Sequence, residues 1–599
     1  MNLQNILFPK AGICFEKKLY MRLKKGANYD EGRRRIGFRK GSSAKFDTYF
    51  NGFSIEKWKR YTCLGSLELH LRLQGTFTVL LIGEEKQNCD VIKKTIGAFP
   101  FHSAGLEEAC LPFNTFDFKG IYSFVLKAEE NGSFFYGGYY GTECDESALR
   151  SVTLGIDICT FRREPFVERN LEIMRKNILN NPDCDLSEHM HVYISDNGGT
   201  LDIARLSDPK IHIFRNRNTG GAGGFTRGMI EALRHKDEHG ATHLLLMDDD
   251  VVIEPEALIK TYHFLRMMKE EYQDAFIGGA MLRLDRPSIQ EEAGAVWNAG
   301  RLCSLKSGLD LDSSEACLYN ETLEYADFHA WWYCCFPIGV VTEQNLPMPI
   351  FIRGDDVEYG LRNMKRLITL NGICVWHETF ENKYSSFLEY YIVRNQLIDN
   401  ALHVPGYSWN RFLWFLFRRV TRQTVYYRYQ STGLMFRAAE DFMKGVDWLK
   451  AQDGETLHKE IMAAGYQARP VEEIGIPFDY PSYEQSLLLL PENPIHKVVR
   501  FLTLNGMLCR ANKNSVASMA AARPINFYRA KRVLNYDASA QKGFVTEKSW
   551  KRFFRCYRRF FGLALTGRRK FKNAQLDYRL RFRELTNLEF WKKYLGLPG

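Results

Sequence analysis

Thr242-His-Leu-Leu-Leu-Met-Asp248-Asp249-Asp250 is a short apolar run that ends in three consecutive carboxylates. The run reads as a buried strand. Hard divalent cations take carboxylate oxygens, and side chains two apart on an extended chain face the same way, so Asp248 and Asp250 can share one metal while Asp249 turns aside. Three adjacent negative charges also repel one another unless a cation offsets them. An acidic turn or helix cap before Glu254-Pro255-Glu256 would use the same residues, since Asp is favoured there. The position at a strand end favours the metal.

Around this run, strands alternate with helical spacing. Val152–Ile158 is a short apolar strand, after which Val167, Leu171, Met174 and Ile178 recur at helical intervals. His191–Ser195, Ile211–Phe214, His243–Met247 and Phe276–Met281 are further strands, with a helix after each of the third and fourth of the series. Such alternation predicts a mostly parallel, Rossmann-like sheet over 151–400, with ligands beyond the carboxyl ends of its strands. Residues 1–150 read differently. Leu67, Leu69, Leu71 and Leu73 alternate with polar residues, and Phe77–Ile82 follows Gly75 as a hairpin-like partner. Tyr122–Lys127 and Ser133–Tyr140 form a second pair around Glu130-Asn131-Gly132, so an antiparallel β-sandwich is expected there. From 401 to 599 the pattern is helical, with Pro-rich breaks at 470–481 and 491–494. The whole is a multidomain α/β chain.

Four other segments carry chemistry. Asn218-Thr-Gly220-Gly221-Ala-Gly223-Gly224 lies after a strand and opens a helix; its glycines let backbone amides approach an anionic ligand, although a plain flexible loop has the same composition. It matches neither a dinucleotide fingerprint nor a Walker loop. Thr160 and Arg163 follow the first strand, and Asp196 and Asn197 follow the second, where side chains can read a base and a diphosphate. In Phe351-Ile-Arg353-Gly354-Asp355-Asp356, one carboxylate caps the following helix and the other is free to accept a proton, its pKa raised by its neighbour. Trp376-His377 offers a nitrogen that can complete an Asp/Asp/His set. Trp331-Trp332 reads as core or as a sugar-stacking surface.

Taken in order, Cys159-Thr-Phe-x-Arg163, the glycine loop, the Asp triplet, Phe351-Ile-x-x-Asp-Asp-x-x-Tyr-Gly-Leu-Arg362 and Trp376-His377 recur over about 230 residues. In this order they resemble the inverting family-2 glycosyltransferases of GT-A fold, most of all the polymerising galactofuranosyltransferases of bacterial cell-wall synthesis. The resemblance extends to Asp47-Thr-Tyr-Phe-Asn51 and to the basic C-terminal region. It implies a UDP-sugar donor held near Thr160, Arg163, Asp196, Asn197, Asn218, Gly220, Gly221 and Asp249. A manganese or magnesium ion would sit on Asp248, Asp250 and His377. Asp356 would be the catalytic base, Asp355 would bind acceptor hydroxyls, and Trp331 and Trp332 would belong to the acceptor site. The acceptor would be a glycan or lipid-linked glycan, with a carbohydrate contact on a jelly-roll-like N-terminal domain and a homo-oligomeric assembly. Gly354 stands where those enzymes carry Trp, and the stretch from Asp356 to His377 is shorter, both on the acceptor side. Other hexosyl- or rhamnosyltransferases of capsule or O-antigen synthesis, and a non-catalytic carbohydrate-binding scaffold, share the pattern.

Composition bounds the setting. Of 599 residues, 45% are apolar and 25% charged, with 46 Gly and 19 Pro, which excludes a disordered or collagenous chain. Met1–Lys10 lacks the pattern of a secretory leader, and no apolar run approaches the ~20 residues of a membrane span. The 14 cysteines include no Cys-x-x-Cys pair, which suits a reduced, cytoplasmic protein, and adjacent Cys334-Cys335 read as packing residues. The net charge of +10 raises nucleic acid as a partner, but its distribution removes that reading. Six arginines and no acid lie between Ala401 and Ala439, and nine basic residues and no acid lie between Lys551 and Asn573. These two stretches exceed the whole excess, so the remainder is mildly acidic. Basic helices rich in Trp and Phe suit peripheral contact with the anionic inner leaflet of the plasma membrane, or a solvated or oligomer-forming face.

Overall fold

The computed structural model describes residues 1–88, 90–114, 117–298, 300–379, 384–488, 491–538 and 540–598. The chain divides into two compact units, one of residues 1–217, 224–346 and 359–378, the other of 218–223, 347–358 and 379–599.

The first unit opens with a nine-stranded antiparallel sheet. Its common member is Glu68–Gln87, which pairs with Asp90–Pro112 along one edge. Along the other edge it changes partner: Glu68–Gln74 pairs with Ser133–Gly141, and Phe77–Glu85 with Gly120–Ala128. The change falls at Gly75 (φ +103°), where a Cβ would stand 2.5 Å from Ser133 Oγ. The expected hairpin across Gly75 is therefore a single bulged strand, because only glycine allows the bend and the close approach. The expected second hairpin is likewise two strands that each pair with this one rather than with each other. Phe46, Phe124 and Phe135 pack together in the sheet's core, with ring centroids 4.3 Å (Phe46–Phe124), 5.3 Å (Phe46–Phe135) and 6.1 Å (Phe124–Phe135) apart. Within the Asp47–Asn51 motif, Asn51 exchanges hydrogen bonds with the Leu7 backbone and Asp47 pairs with Arg22 and Lys93, so the motif ties the sheet's entry together.

The central sheet contains β1 (Leu154–Thr160), β2 (Met190–Asp196), β3 (Ile211–Arg215), β4 (His243–Asp248), β5 (Val252–Ile253), β6 (Phe276–Arg283), β7 (Cys334–Pro337) and β8 (Leu367–His377). They lie in the order β3-β2-β1-β4-β7-β6-β8-β5. Pairs β3/β2, β2/β1, β1/β4 and β6/β8 are parallel, and β7 runs antiparallel to both β4 and β6. Leu244–Met247 of β4 are fully buried, as a strand covered on both faces requires. Helices follow β1, β3 and β4. Register aligns the carboxyl ends: Thr160 pairs with Asp196, and Cys159 with Asp248.

The second unit is mostly helical from Leu388, but it also holds a four-stranded sheet of Arg469–Pro470, Lys513–Ser518, Ala530–Asp537 and Lys542–Glu547. This sheet adds to the helical region expected there. The strands escape a periodicity reading because a buried polar residue, Asn535, interrupts them; the Arg428 guanidinium donates to its Oδ1 at 2.8 and 3.1 Å. The two basic stretches form helices Trp409–Val425 and Trp550–Thr566, which pack together through Phe417–Phe560 (5.3 Å) and Tyr557–Thr421. Not all of the charge is outward: Arg428 is buried, and Arg419 and Arg437 pair with Glu389 and Glu460. No helix among the described residues is long and apolar enough to cross a membrane.

Candidate active site

In the first unit, β4 carries Asp248 to the carboxyl edge of the sheet, and the turn after it presents Asp249 and Asp250. That turn is held from the following helix of β1, Glu164–Met174: Asn170 Nδ2 donates to Asp249 O and Val251 O, both at 3.0 Å, and Arg169 to Val251 O at 2.7 Å. The chain then forms β5, whose antiparallel pairing Val252↔Trp376 and Ile253↔Val375 places the end of β8 beside the turn. His377 is delivered in this way. Its Nε2 lies 3.1 Å from Asp250 Oδ1, and ligand atoms of Asp248, Asp250 and His377 all lie within 4.8 Å of one another.

The electrostatics favour a cation. Burial pushes the Asp248 carboxyl up to about 7; Asp250 and Asp249 push the same way, while His377 opposes them. Arg163, the first residue before the Glu164–Met174 helix, offsets part of this charge through Nη1, 2.9 Å from Asp249 Oδ1 and 2.6 Å from Asp250 Oδ2. Two carboxylates and an imidazole at this spacing suit a hard or borderline divalent ion with positions left for other ligands.

The other expected donor residues divide by task. Asp196 is fully buried, and its carboxylate accepts from the amides of Gly198, Gly199 and Leu201 at 2.9–3.0 Å, so it shapes its own loop. Asn197 sits against β1 through its amide to Thr160 O (2.9 Å) and accepts from Asn216 Nδ2 at 2.8 Å. Trp331 and Trp332 are buried: Trp331 packs edge-on against Phe225 at 5.2 Å, and Trp332 Nε1 donates to Gly279 O at 2.9 Å.

In the second unit the glycine loop lies beside the carboxylate pair. Gly220 (φ +72°) passes so close to Phe351 that a Cβ would meet its carbonyl oxygen at 2.1 Å, and a Cβ on Gly221 would stand 3.4 Å from Asp355 Oδ2. The Gly220 amide donates to Asn218 Oδ1 at 3.2 Å. Close packing thus explains Gly220, and Gly221 is the glycine that faces the carboxylates.

Asp355 and Asp356 occupy the first turn of helix Asp355–Asn363, as expected of an N-terminal carboxylate pair, and Val357 N donates to Asp356 Oδ1 at 2.8 Å. The Asp356 pKa is raised, but by burial rather than by its neighbour's charge; the Val357 amide and Arg353 oppose the shift. The segment leading to the pair is strained, with Phe351 at φ +75°, Arg353 at +65° and Gly354 at +96°. Asn395 holds it: Nδ2 donates to Ile350 O, Ile352 O and Arg353 O at 3.1, 2.8 and 2.6 Å. Arg394 adds a bond to Ile350 O at 2.6 Å. A Cβ on Gly354 would lie 2.9 Å from Asp399 Oδ2, which accounts for glycine at this position. Asp399 is itself buried with its carboxyl pushed well up by burial and by Glu358, Asp356 and Asp355.

Asn395, Asp399, Asn170 and Arg169 were not singled out from sequence. One signal was available: Arg394-Asn-Gln-Leu-Ile-Asp399-Asn400 is a helical run whose polar residues fall on every face, and all are buried.

Residues 3–142 match the family model described as galactofuranosyltransferase 2 N-terminal, and residues 156–379 that of glycosyltransferase like family 2. The galactofuranosyltransferase GlfT2 of Mycolicibacterium smegmatis is 26% identical over 429 residues, 67% of this chain and 64% of that protein. GlfT2 of Mycobacterium tuberculosis is 26% identical over 412 residues, 61% and 59% of the two chains. Galactofuranosyltransferase GlfT1 of the same species is 28% identical over 214 residues, 34% of this chain and 62% of that one. The chain thus spans less than two thirds of the length of these relatives. With the motifs in order and both family models matched, this chain carries a family-2 glycosyltransferase domain behind an N-terminal domain of the galactofuranosyltransferase 2 type.

Proposed function

We propose that the chain is a metal-dependent inverting glycosyltransferase that moves galactofuranose from a UDP-sugar to a hydroxyl of a glycan or lipid-linked glycan in bacterial cell-surface polysaccharide synthesis. The observation that carries this reading is the Asp248/Asp250/His377 set at the carboxyl end of a parallel-rich sheet, within the residues matched by the family-2 model. The choice of galactofuranose rests on what the relatives are named for.

Asp248, Asp250 and His377 would hold Mn2+ or Mg2+, which supplies Lewis-acid stabilisation of the charge that develops on a diphosphate leaving group. Arg163 keeps Asp249 and Asp250 in place and adds positive charge on the donor side. Thr160, Asn197 and the loop shaped by Asp196 border the nucleotide, and Asn218, Gly220 and Gly221 offer backbone and amide groups to the sugar diphosphate. Asp356 takes the proton of the acceptor hydroxyl, whose oxygen attacks the anomeric carbon as the bond to UDP breaks, giving a single inversion. Burial suits Asp356 to that role, because a raised pKa makes a carboxylate a better base. Asp355 orients acceptor hydroxyls, and Trp331 and Trp332 back the acceptor site from the core. The paired basic helices would dock the enzyme peripherally on an anionic inner leaflet, with a homo-oligomer as the working form.

The test is a panel of UDP-sugars offered to the purified chain with and without Mn2+. Asp356→Asn should lose transfer and retain donor binding, and Asp250→Ala should lose metal-dependent nucleotide binding. Undiminished turnover in the first variant, or unchanged nucleotide affinity in the second, would remove the assignment concerned.

A further inference from the structure

At the opposite end of the central sheet, three histidines converge. His191 is the second residue of β2, five residues before Asp196 on the same strand, which at about 3.3 Å per residue sets it ~16 Å from the carboxyl edge. His212 lies on the adjacent β3, where it is the register partner of Tyr193. His239 ends the short helix Lys236–His239 that returns over these strands. His191 Nδ1 and His212 Nε2 are 3.4 Å apart, and ligand nitrogens of all three rings lie within 4.8 Å of one another. The His239 ring stacks on His191 and His212 with centroids 4.2 and 4.5 Å away.

We propose that His191, His212 and His239 form a second metal site, for a divalent transition-metal ion of the zinc type, distinct from the aspartate site. Two imidazole nitrogens on a tetrahedral ion with bonds of about 2.0–2.1 Å stand about 3.3 Å apart, which the His191–His212 pair already meets. His239 carries its own orienting partner: its Nδ1 is 2.7 Å from Tyr193 OH, and in the tautomer whose Nδ1–H donates to the phenol oxygen, Nε2 is left to the ion. Seating the ion needs small rotations of the stacked rings about their Cβ–Cγ bonds, and that torsion is soft. The rings are half-buried and need little deprotonation at neutral pH, since burial and the neighbouring imidazoles hold His191 and His212 down to about 4. Asp208 and Glu238 add negative charge nearby, Lys210 opposes it, and the fourth position falls to water. Three imidazoles without a carboxylate select zinc-like ions over the Mn2+ or Mg2+ suited to the aspartates. A bound ion would tie two strands and a returning helix together.

The test uses the full chain stripped with a chelator, with Asp250→Ala as the background that removes the aspartate site. Zn2+ titration by calorimetry and Co2+ absorption should report one bound equivalent with nitrogen coordination. His212→Ala and His239→Gln should each abolish it, and Tyr193→Phe should weaken it roughly 10–100-fold. His239 sits on a surface helix, so its variant guards against a folding defect in the strand variant, and thermal unfolding of each confirms the fold. Absence of tight Zn2+ binding in the Asp250→Ala background, or its retention in either folded histidine variant, would overturn the proposal.

Discussion

Asn395→Ala isolates the positioning of the carboxylate pair from the carboxylates themselves. The side-chain amide carries two hydrogens, shared among three carbonyls of the segment 350–353, and at about 1 kcal/mol net per bond it contributes about 2 kcal/mol to holding the segment in shape. Against it stand two non-glycine residues in the left-handed region, Phe351 and Arg353, at about 1–2 kcal/mol each. The opposing terms are nearly equal. Removing Asn395 therefore lets the segment relax, and the strain released returns part of what the lost bonds contributed. Global stability should fall by only about 1–2 kcal/mol in denaturant unfolding. Transfer should suffer more, because a displacement of about 1 Å at the reacting groups costs on the order of 100-fold. The assay is turnover from the UDP-sugar preferred by the wild type, with Mn2+ affinity measured alongside and expected unchanged. A folded Asn395→Ala protein with near wild-type turnover would refute the view that this clamp sets the position of Asp355 and Asp356.

Asp157 tests the buried carboxyl of β1. Its carboxyl is buried and pushed well up by desolvation, so the folded protein keeps a proton that the unfolded chain releases above about pH 4. The folded state then binds more protons than the unfolded one, and stability falls as pH rises, by ~1.4 kcal/mol per pH unit until the buried group ionises. Asp157→Asn removes that slope, and urea unfolding should show its advantage over the wild type widening from pH 5 upward; a constant gap would count against a protonated Asp157. For the paired basic helices, the chain should bind vesicles containing anionic lipid and not neutral ones. Charge reversal at the exposed Arg411, Arg418 and Arg422 should weaken that binding roughly tenfold or more, whereas equal binding to neutral vesicles would contradict an electrostatic contact.

Much of the site was legible because its chemistry sits at strand and helix ends. An apolar run closed by Asp248-Asp249-Asp250, or a carboxylate pair opening a helix, announces the element and where its end lies. What escaped was whatever depends on pairing. Nothing local distinguishes a hairpin at Gly75 from a bulge in one strand; the difference is made by Ser133, which approaches the glycine from a distant strand. Asp196 also accepts from three amides of its own loop, a role that no local pattern announces. Asn395 and Asn535 are polar groups placed inside by partners far away in sequence, and periodicity treats such residues as surface. The exposed apolar face of helix Pro494–Leu502, with Ile495 75% and Phe501 79% exposed, also lies outside both basic stretches that charge had marked.

The two-residue ladder between β5 and β8 has a consequence for how the chain matures. Asp248 and Asp250 are neighbours from synthesis onward, but His377 joins them only when Val375 and Trp376 have paired with Ile253 and Val252, with β6, β7 and several helices between them in sequence. Until that long-range closure, the growing polypeptide holds the carboxylates without His377 beside them. Metal uptake would then act as a checkpoint on completion of the sheet, and a chain stalled before residue 377 would be recognisable by its failure to retain the ion.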